Sequence, residues 1–463
     1  MALHEARPSE GAGAVSLLPQ FTRPGEVGEV PRDRLPDAGL PPDTAYQIVH
    51  DELLLDGNAR LNLASFVTTW MEPQARRLMD ECVDKNFIDR DEYPQTTELE
   101  RRCVRMLADL WSAPADGGAT GCSTTGSSEA CMLGGLALLW RWRERRGSGD
   151  EARGRPNLVM GANVQVCWEK FCRYWDVEPR RVPLGPGRLH LTADGAAAHC
   201  DENAIGVVAI MGSTFDGSYE PVAEIAAALD RLREERGVDV PIHVDAASGG
   251  FIAPFLDPGI VWDFRIPRVQ SINTSGHKYG LVYPGIGWIV WRDRRALPDG
   301  LVFGVDYLGG EMPTFALTFS RPGAQVAAQY YNLLRLGRDG YRRVQQSCRD
   351  TAMWLASRIA ALGPFELLSD GSAVPAFAFR LRDDVRNYTV FDVSAELRRY
   401  GWIVPAYHMP PRLEDVAVLR IVVRNGFSRD LAELLLGHLE RVVGVLERTG
   451  GRLGEPHATG FHH

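Results

Sequence analysis

From about Leu61 onward, short apolar and β-branched runs alternate with stretches of helical period. The strand-like runs are "PNLVMGANVQ", "AIGVVAIMGST", "VPIHVDAAS", "VQSINTS" and "IGWIVWR", and "EPVAEIAAALDRLREERG" is typical of the helical stretches between them. Apolar runs separated by helices predict an α/β architecture, a mostly parallel central sheet covered on both faces. After the long helical stretch "QVAAQYYNLLRLGRDGYRRVQQSCRDTAMWLASRIAALG" the pattern changes to a smaller α+β unit, with strands at "FELLSD", "PAFAFRL" and "AVLRIVVR" and a helix at "TVFDVSAELRRYG". A final helix is predicted over 431–448, where Leu431, Leu435, Leu439, Val442 and Leu446 share one face as a core stripe.

These patterns divide the chain into an N-terminal arm (1–60), a large domain (61–345), a small C-terminal domain (346–448) and a loose polar tail (449–463). The arm is rich in Pro and Gly up to the helical pattern "TAYQIVHDELLLDG". A length of 463 residues suits a large domain plus a smaller one. The net charge of -9 argues against nucleic acid or an anionic membrane as partner, and favours a small molecule. The eight cysteines form no C-x-x-C pair and no zinc spacing, so they read as reduced, mostly buried thiols of a cytoplasmic protein, with no metal expected. Nothing resembles a secretory leader or a membrane span.

Candidate chemistry begins at "SINTSGHKYG", where Lys278 arrives at the end of a buried strand. A buried ammonium is costly unless it is neutralised, paired or used as a nucleophilic amine. Two other motifs bear on which. In "HVDAASGG", Asp245 ends a strand-like run and is followed by small residues, so a flat group could pack on the backbone at Ala247. In "TTGSSEACMLGG", Ser127 and Ser128 open a helix whose unpaired N–H groups suit a phosphate. A lysine, a carboxylate and a phosphate cradle at strand ends are what pyridoxal 5'-phosphate requires: the amine attaches the cofactor, the carboxylate keeps the pyridine nitrogen protonated, and the helix start anchors the phosphate. Taken singly, such an Asp is usually a turn residue and such a Ser pair an N-cap. Their occurrence together favours the cofactor site.

The same motifs resemble the glutamate decarboxylases, within the group II pyridoxal-phosphate decarboxylases. The resemblance runs from "LDGNARLNLASF" to "RIVVRNGF" and includes "KNFIDRDEYPQT", "CVRMLADLW", "VQVCWEKFCRYWDVE", "HVDAASGGF", "SGHKYG", "VDYLGG" and "TFSRPG". It implies a type I aminotransferase-like fold, with active sites shared across a homodimer or higher homo-oligomer and the N-terminal arm packed on a partner subunit. By resemblance Lys278 carries the cofactor and Asp245 pairs with its ring nitrogen. Gln165 and Ala247 sandwich the ring, Thr214 hydrogen-bonds near the ring hydroxyl or the Asp, and Ser127, Ser128, His277 and a partner's copy of Ser320 hold the phosphate. Arg424 is implied as a contact on the substrate side. Glu169 departs from many bacterial members, which carry His, and is left without a catalytic role.

Selectivity for L-glutamate needs recognition of its distal carboxylate. The resemblance assigns this to the Ser65 hydroxyl, the Phe66 N–H, and Asn86 with Asp89 from the neighbouring subunit. Ser65 stands where Thr is common, and on residues alone Asn86 and Asp89 read as a surface turn. A carboxylate facing a carboxylate binds best with one proton shared, so acid pH is expected to favour binding. Tyr307, in a Gly-flanked loop able to close over the site, is the candidate proton donor to the substrate α-carbon. The tail "HATGFHH" lacks a basic amphipathic helix, so calmodulin control is not expected. It is similar instead to the ending of acid-active bacterial members, in which a terminal His, here His463 or His462, enters the site when neutral. Alternatives are another decarboxylase or lyase of the same fold, and a catalytically silent scaffold.

Overall fold

The computed structural model describes residues 32–115, 117–146, 154–305 and 312–450, so Tyr307, His462 and His463 lie outside the described residues. The chain divides into two units after Ala59. In the first, helix α1 (Pro42–Leu53) opens with Pro at its first position, where no N–H is needed, and exposes Tyr46, Val49 and Leu53.

The second unit begins with α2 (Pro73–Asp80) and α3 (Pro94–Leu110), both opened by proline in the same way. There follow β1 (Thr120–Thr124), α4 (Ser127–Arg146), β2 (Asn157–Gly161), α5 (Val166–Tyr174), β3 (Glu178–Val182), α6 (Ala193–Ala198), β4 (Ala204–Ile210), α7 (Val222–Arg236), β5 (Ile242–Asp245), α8 (Ala253–Leu256), β6 (Val269–Thr274) and β7 (Gly287–Trp291). The seven strands form one sheet in the order β1-β7-β6-β5-β4-β2-β3. Strands β3, β2, β4, β5 and β6 are parallel, and β7 runs antiparallel to both β6 and β1. Every residue of β4 and β7 is buried, as strands covered by helices on both faces require. Asp245, the last residue of β5, is level with Ile210 of β4 and Asn273 of β6.

The small hairpin β8 (Phe303–Val305) and β9 (Met312–Thr314) precedes α9 (Ala324–Ala360). The long helical stretch is broken at Gly337, whose φ of 56° and ψ of -170° are not helical and are open to glycine. Beyond it, β10 (Phe365–Leu367), β11 (Ala376–Leu381), α10 (Val390–Arg398), β12 (Ala406–His408), β13 (Ala417–Val422) and α11 (Arg429–Thr449) build an antiparallel four-stranded sheet in the order β10-β11-β13-β12, with α10 and α11 packed together. Apolar clusters cover both faces of the large sheet, and another lies around Phe377, Phe379 and Leu419. Leu435, Leu439, Val442 and Leu446 of α11 are buried in this last cluster and Leu431 packs half-buried against it; each fully buried leucine stabilises by about 1.5–3 kcal/mol.

Strands β1, β3, β8, β9 and β12 were not among those expected. The segment "TGCST" of β1 has no apolar run, β3 is a polar edge with alternating exposure, and β12 has only three residues. Among the described residues no helix is long and apolar enough to cross a membrane. All eight cysteines are free, seven buried and Cys82 half-buried.

Candidate active site

At the C-terminal ends of the parallel strands lies a cavity of about 380 Å³, the usual ligand position of an open α/β sheet. Lys278, Asp245, Ala247, His277, Ser127, Ser128, Gln165, Thr214 and Phe66 all line it. Nine of the residues singled out from sequence are therefore brought together by elements far apart in the chain.

The Lys278 loop is held from two sides. From α9, Gln329 Nε2 and the Tyr341 hydroxyl donate to the Gly280 carbonyl at 3.1 and 3.0 Å, and Gln345 Nε2 donates to the Tyr279 carbonyl at 2.8 Å. From the segment after Leu63, Thr68 donates its N–H to the His277 carbonyl at 2.8 Å and its hydroxyl to the Lys278 carbonyl at 2.6 Å. The Lys278 amine lies 5.2 Å from the centre of the Phe66 ring. Burial, the dominant influence, lowers its proton affinity, opposed by the charge of Asp245 and assisted by that of Arg420. A lowered lysine is nucleophilic nearer to neutral pH.

Asp245 is fixed by four donors. Asn273 Nδ2 and the Ala247 N–H donate to Oδ1 at 3.0 and 3.2 Å, while Trp168 Nε1 and Cys131 Sγ donate to Oδ2 at 2.9 and 3.5 Å. Asn273 Nδ2 also donates to Ser127 Oγ at 3.0 Å, joining the carboxylate to the start of α4. His243 Nε2 meets Asn273 Oδ1 at 2.7 Å and so sets the orientation of that amide. Cys131, Cys167 and Asp245 bring ligand-type atoms within 4.8 Å of one another. Burial raises the Cys131 thiol well above its ordinary value, so it acts here as a neutral donor rather than a thiolate.

The start of α4 is pressed onto its neighbours. A Cβ on Gly287 would lie 2.4 Å from the Gly126 carbonyl carbon, and one on Gly126 would lie 2.9 Å from His277 Cε1. Glycine at both points lets the cradle loop close against β7 and His277. His277 Nδ1 and Ser275 Oγ are buried at this cavity with no hydrogen-bond partner among the described residues. Orphaned polar atoms beside a helix N-terminus fit a phosphate that completes their hydrogen bonds. Burial and the neighbouring Lys278 push the His277 imidazole down to about 4. At the far wall Gln165 caps α5, its Oε1 accepting from the Cys167 N–H at 2.6 Å.

Apart from Thr214, the other sequence candidates fall outside the lining. Ser65 turns its hydroxyl to the Val67 N–H at 3.1 Å. Thr214 faces the cavity, and its carbonyl accepts from Arg420. Arg424 is buried among Tyr279 and Cys348 rather than in the cavity lining. Asn86, Asp89 and Ser320 also lie outside the lining. They sit close in this chain, because Phe87 donates to the Arg321 carbonyl at 2.7 Å and Asn86 bridges to Pro322. Asp89 caps a turn through the Glu92 N–H at 3.4 Å. Glu169 pairs with Arg181 at 2.9 Å, tying α5 to the edge strand β3.

Sequence reasoning gave no role to Arg420, Trp168 or Asn273. Arg420 stacks 4.9 Å over Phe66 and donates to the carbonyls of Thr214 and Ala64, joining β13 to two walls of the cavity. The available signal for Arg420 was a charged residue inside the otherwise apolar strand "AVLRIV"; Asn273, in the mostly polar "VQSINT", carries no such signal.

The pyridoxal-dependent decarboxylase conserved domain matches residues 36–382. A glutamate decarboxylase of Aliivibrio fischeri is 53% identical over 438 residues, 94% of each chain. One from Petunia hybrida is 51% identical over 92% of this chain and 85% of its own. Among solved structures, a Lactobacillus brevis glutamate decarboxylase superposes with a TM-score of 0.89 at 45% identity, covering 92% of this chain and 98% of that one.

Proposed function

We infer that this chain, which belongs to the pyridoxal-dependent decarboxylase family, converts L-glutamate to 4-aminobutyrate and carbon dioxide with pyridoxal 5'-phosphate as cofactor. Its fold is the type I fold of those enzymes. The observation that carries the reading is one cavity lined by a buried Lys278 amine, a four-donor Asp245 and the orphaned Nδ1 of His277.

When bound, the cofactor supplies an electron sink for the pair released as the substrate α-carboxylate leaves as carbon dioxide. Lys278 would hold it covalently through the ε-amine, and Asp245 would stabilise a proton on its ring nitrogen. Ser127, Ser128 and His277 would hold the phosphate, with Ser320 of a second subunit, while Gln165, Ala247 and Thr214 would hold the ring. The Ser65 hydroxyl, the Phe66 N–H, and Asn86 and Asp89 of the second subunit receive the distal carboxylate, with Arg424 in support on the substrate side. Tyr307 delivers a proton to the substrate α-carbon, and its loop excludes water.

The assembly proposed is a homodimer or a higher homo-oligomer of it, located in the cytoplasm, without calmodulin or nucleic acid as partner. A large domain (61–345) and a small one (346–448) flank the site, and His463 or His462 closes it as pH rises. Incubating the protein with pyridoxal phosphate and a panel of amino acids tests the activity. Release of 4-aminobutyrate from L-glutamate above all other products is expected. Preference for aspartate or an aromatic amino acid overturns the substrate, and absence of any product with visible cofactor bound overturns the activity.

A further inference from the structure

The third residue of helix α4 is an acid, at the very helix start that receives a phosphate. Glu129 is 93% buried by complement of its 7% exposure, and both carboxylate oxygens are occupied. Oε2 accepts from the N–H and hydroxyl of Thr125 at 2.7 and 2.9 Å, so it holds the cradle loop just before Gly126. Oε1 accepts from the Leu317 N–H, the Thr318 N–H and the Thr318 hydroxyl, each at 3.1 Å. The acid is thus turned away from the phosphate position and grips a second segment.

That segment is the strip carrying Ser320. The Thr318 hydroxyl accepts from Arg321 Nη1 at 3.0 Å, and Arg321 Nη2 donates to the carbonyl and hydroxyl oxygens of Ser123 at 3.0 and 2.9 Å. The same guanidinium lies 4.9 Å over the Phe87 ring, next to Asn86. Ser123 is anchored in turn by Glu100, whose Oε1 accepts its N–H and hydroxyl at 2.7 and 2.6 Å. On the outer side of the strip Leu317 and Phe319 are exposed, as suits a surface that meets another chain.

We propose that Glu129 is a positioning residue that couples neighbouring active sites, clamping a subunit's own phosphate loop to the 317–322 and 85–89 strips that it lends to its partner. The proposal rests on the reading above that Ser320, Asn86 and Asp89 act across a subunit boundary. Glutamate is the residue able to do this. A glutamine turns one oxygen into a donor, which faces either the Thr125 N–H or the N–H pair of Leu317 and Thr318, so one side of the clamp is lost.

Hybrid dimers with a single working lysine test it. In the reference hybrid, a Lys278→Ala chain is paired with a wild-type chain, so the working site lies on the wild-type chain and borrows its strips from the mutant. Adding Glu129→Gln to the Lys278→Ala chain leaves the working site's own loop untouched. We expect the glutamate KM of that site to rise about tenfold with kcat changed less than about twofold, and cofactor release, followed by absorbance without substrate, to quicken about tenfold. Values equal to the reference overturn the clamp. A third hybrid carries Asn86→Ala and Asp89→Ala on the Lys278→Ala chain. If it too matches the reference, the shared site itself fails; if it is impaired while the Glu129→Gln hybrid is not, only the clamp fails. Should the Glu129→Gln chain not assemble, Thr318→Ala on the same chain removes the hydroxyl bonds to Glu129 and from Arg321 and is judged by the same two readouts.

Discussion

The Trp168 indole donates to Asp245 Oδ2 at 2.9 Å, so the carboxylate ending β5 is held by helix α5 as well as by its own sheet. The indole ring is itself braced edge-on against His243, at 5.0 Å between centres. Trp168→Phe keeps an aromatic ring at the position and removes the donor. Losing one hydrogen bond to a buried charged group is worth about 1.5–3 kcal/mol, and Oδ2 then keeps only the weaker Cys131 donor while Oδ1 stays held by Asn273 and Ala247. We expect kcat to fall about tenfold or more and cofactor affinity to fall with it, with glutamate KM little changed. A rise in KM alone, measured by steady-state kinetics, would contradict this role.

Lys278→Ala removes the only amine that lines the cavity among the described residues and leaves the phosphate cradle and Asp245 in place. The variant is expected to bind pyridoxal phosphate reversibly, without the adduct that borohydride fixes to the wild-type protein, and to lose nearly all turnover. Mass measurement after reduction reads this directly. A reduced adduct at wild-type stoichiometry would move the attachment point to another residue.

Much of this site was legible in the chain because its parts sit in contiguous motifs. Lys278 beside His277, Asp245 before Ala247, and Ser127 with Ser128 each lie where a strand or helix end can be read from local pattern. What escaped notice acts by contact across the fold. Trp168 looks like one more apolar residue of an amphipathic helix, and only folding brings it to Asp245. Arg420 falls in a six-residue strand whose other members are apolar, and no local rule says that its guanidinium crosses to Thr214 and Ala64. Arg424, four residues on, carries the more familiar motif yet is absent from the cavity lining. Strands β1 and β3 were missed for a related reason, since partners at the two edges of the sheet rather than their own composition make them strands.

Arg420 joins β13 to the Thr214 loop and to the segment before Ser65, and its stacking on Phe66 holds one wall of the cavity. Arg420→Met retains an apolar stem but leaves the Thr214 and Ala64 carbonyls without this donor. Each such bond to a charged donor contributes about 1.5–3 kcal/mol, so the urea midpoint should drop and glutamate KM should rise severalfold. Arg420→Lys cannot span both carbonyls with a planar fork and should recover only part of the loss. Full rescue by lysine would show that charge alone matters there.

His277 gives the cofactor-free protein a specific pH signature. Its imidazole is held down to about 4 by burial and by the Lys278 charge, against about 6.5 for an unperturbed histidine. Between these values the unfolded chain binds a proton that the folded chain does not, so stability rises with pH through that window and is lost as pH falls through it. The difference is worth on the order of 3 kcal/mol. Glu220, buried and raised to about 7, works in the opposite sense over an overlapping range, its folded form keeping a proton that the unfolded chain gives up. His243, also near 4, works in the same sense as His277. Comparing wild type with His277→Gln cancels both of these contributions. Urea unfolding of the two apo-proteins from pH 7 to pH 4 should show the variant losing less stability on acidification. Saturating phosphate or cofactor should shrink that difference, because an anion at the orphaned Nδ1 favours the imidazolium and brings its proton affinity back toward the ordinary value. Parallel pH profiles for the two apo-proteins would mean that His277 is not buried as a neutral ring, and would remove it from the phosphate site.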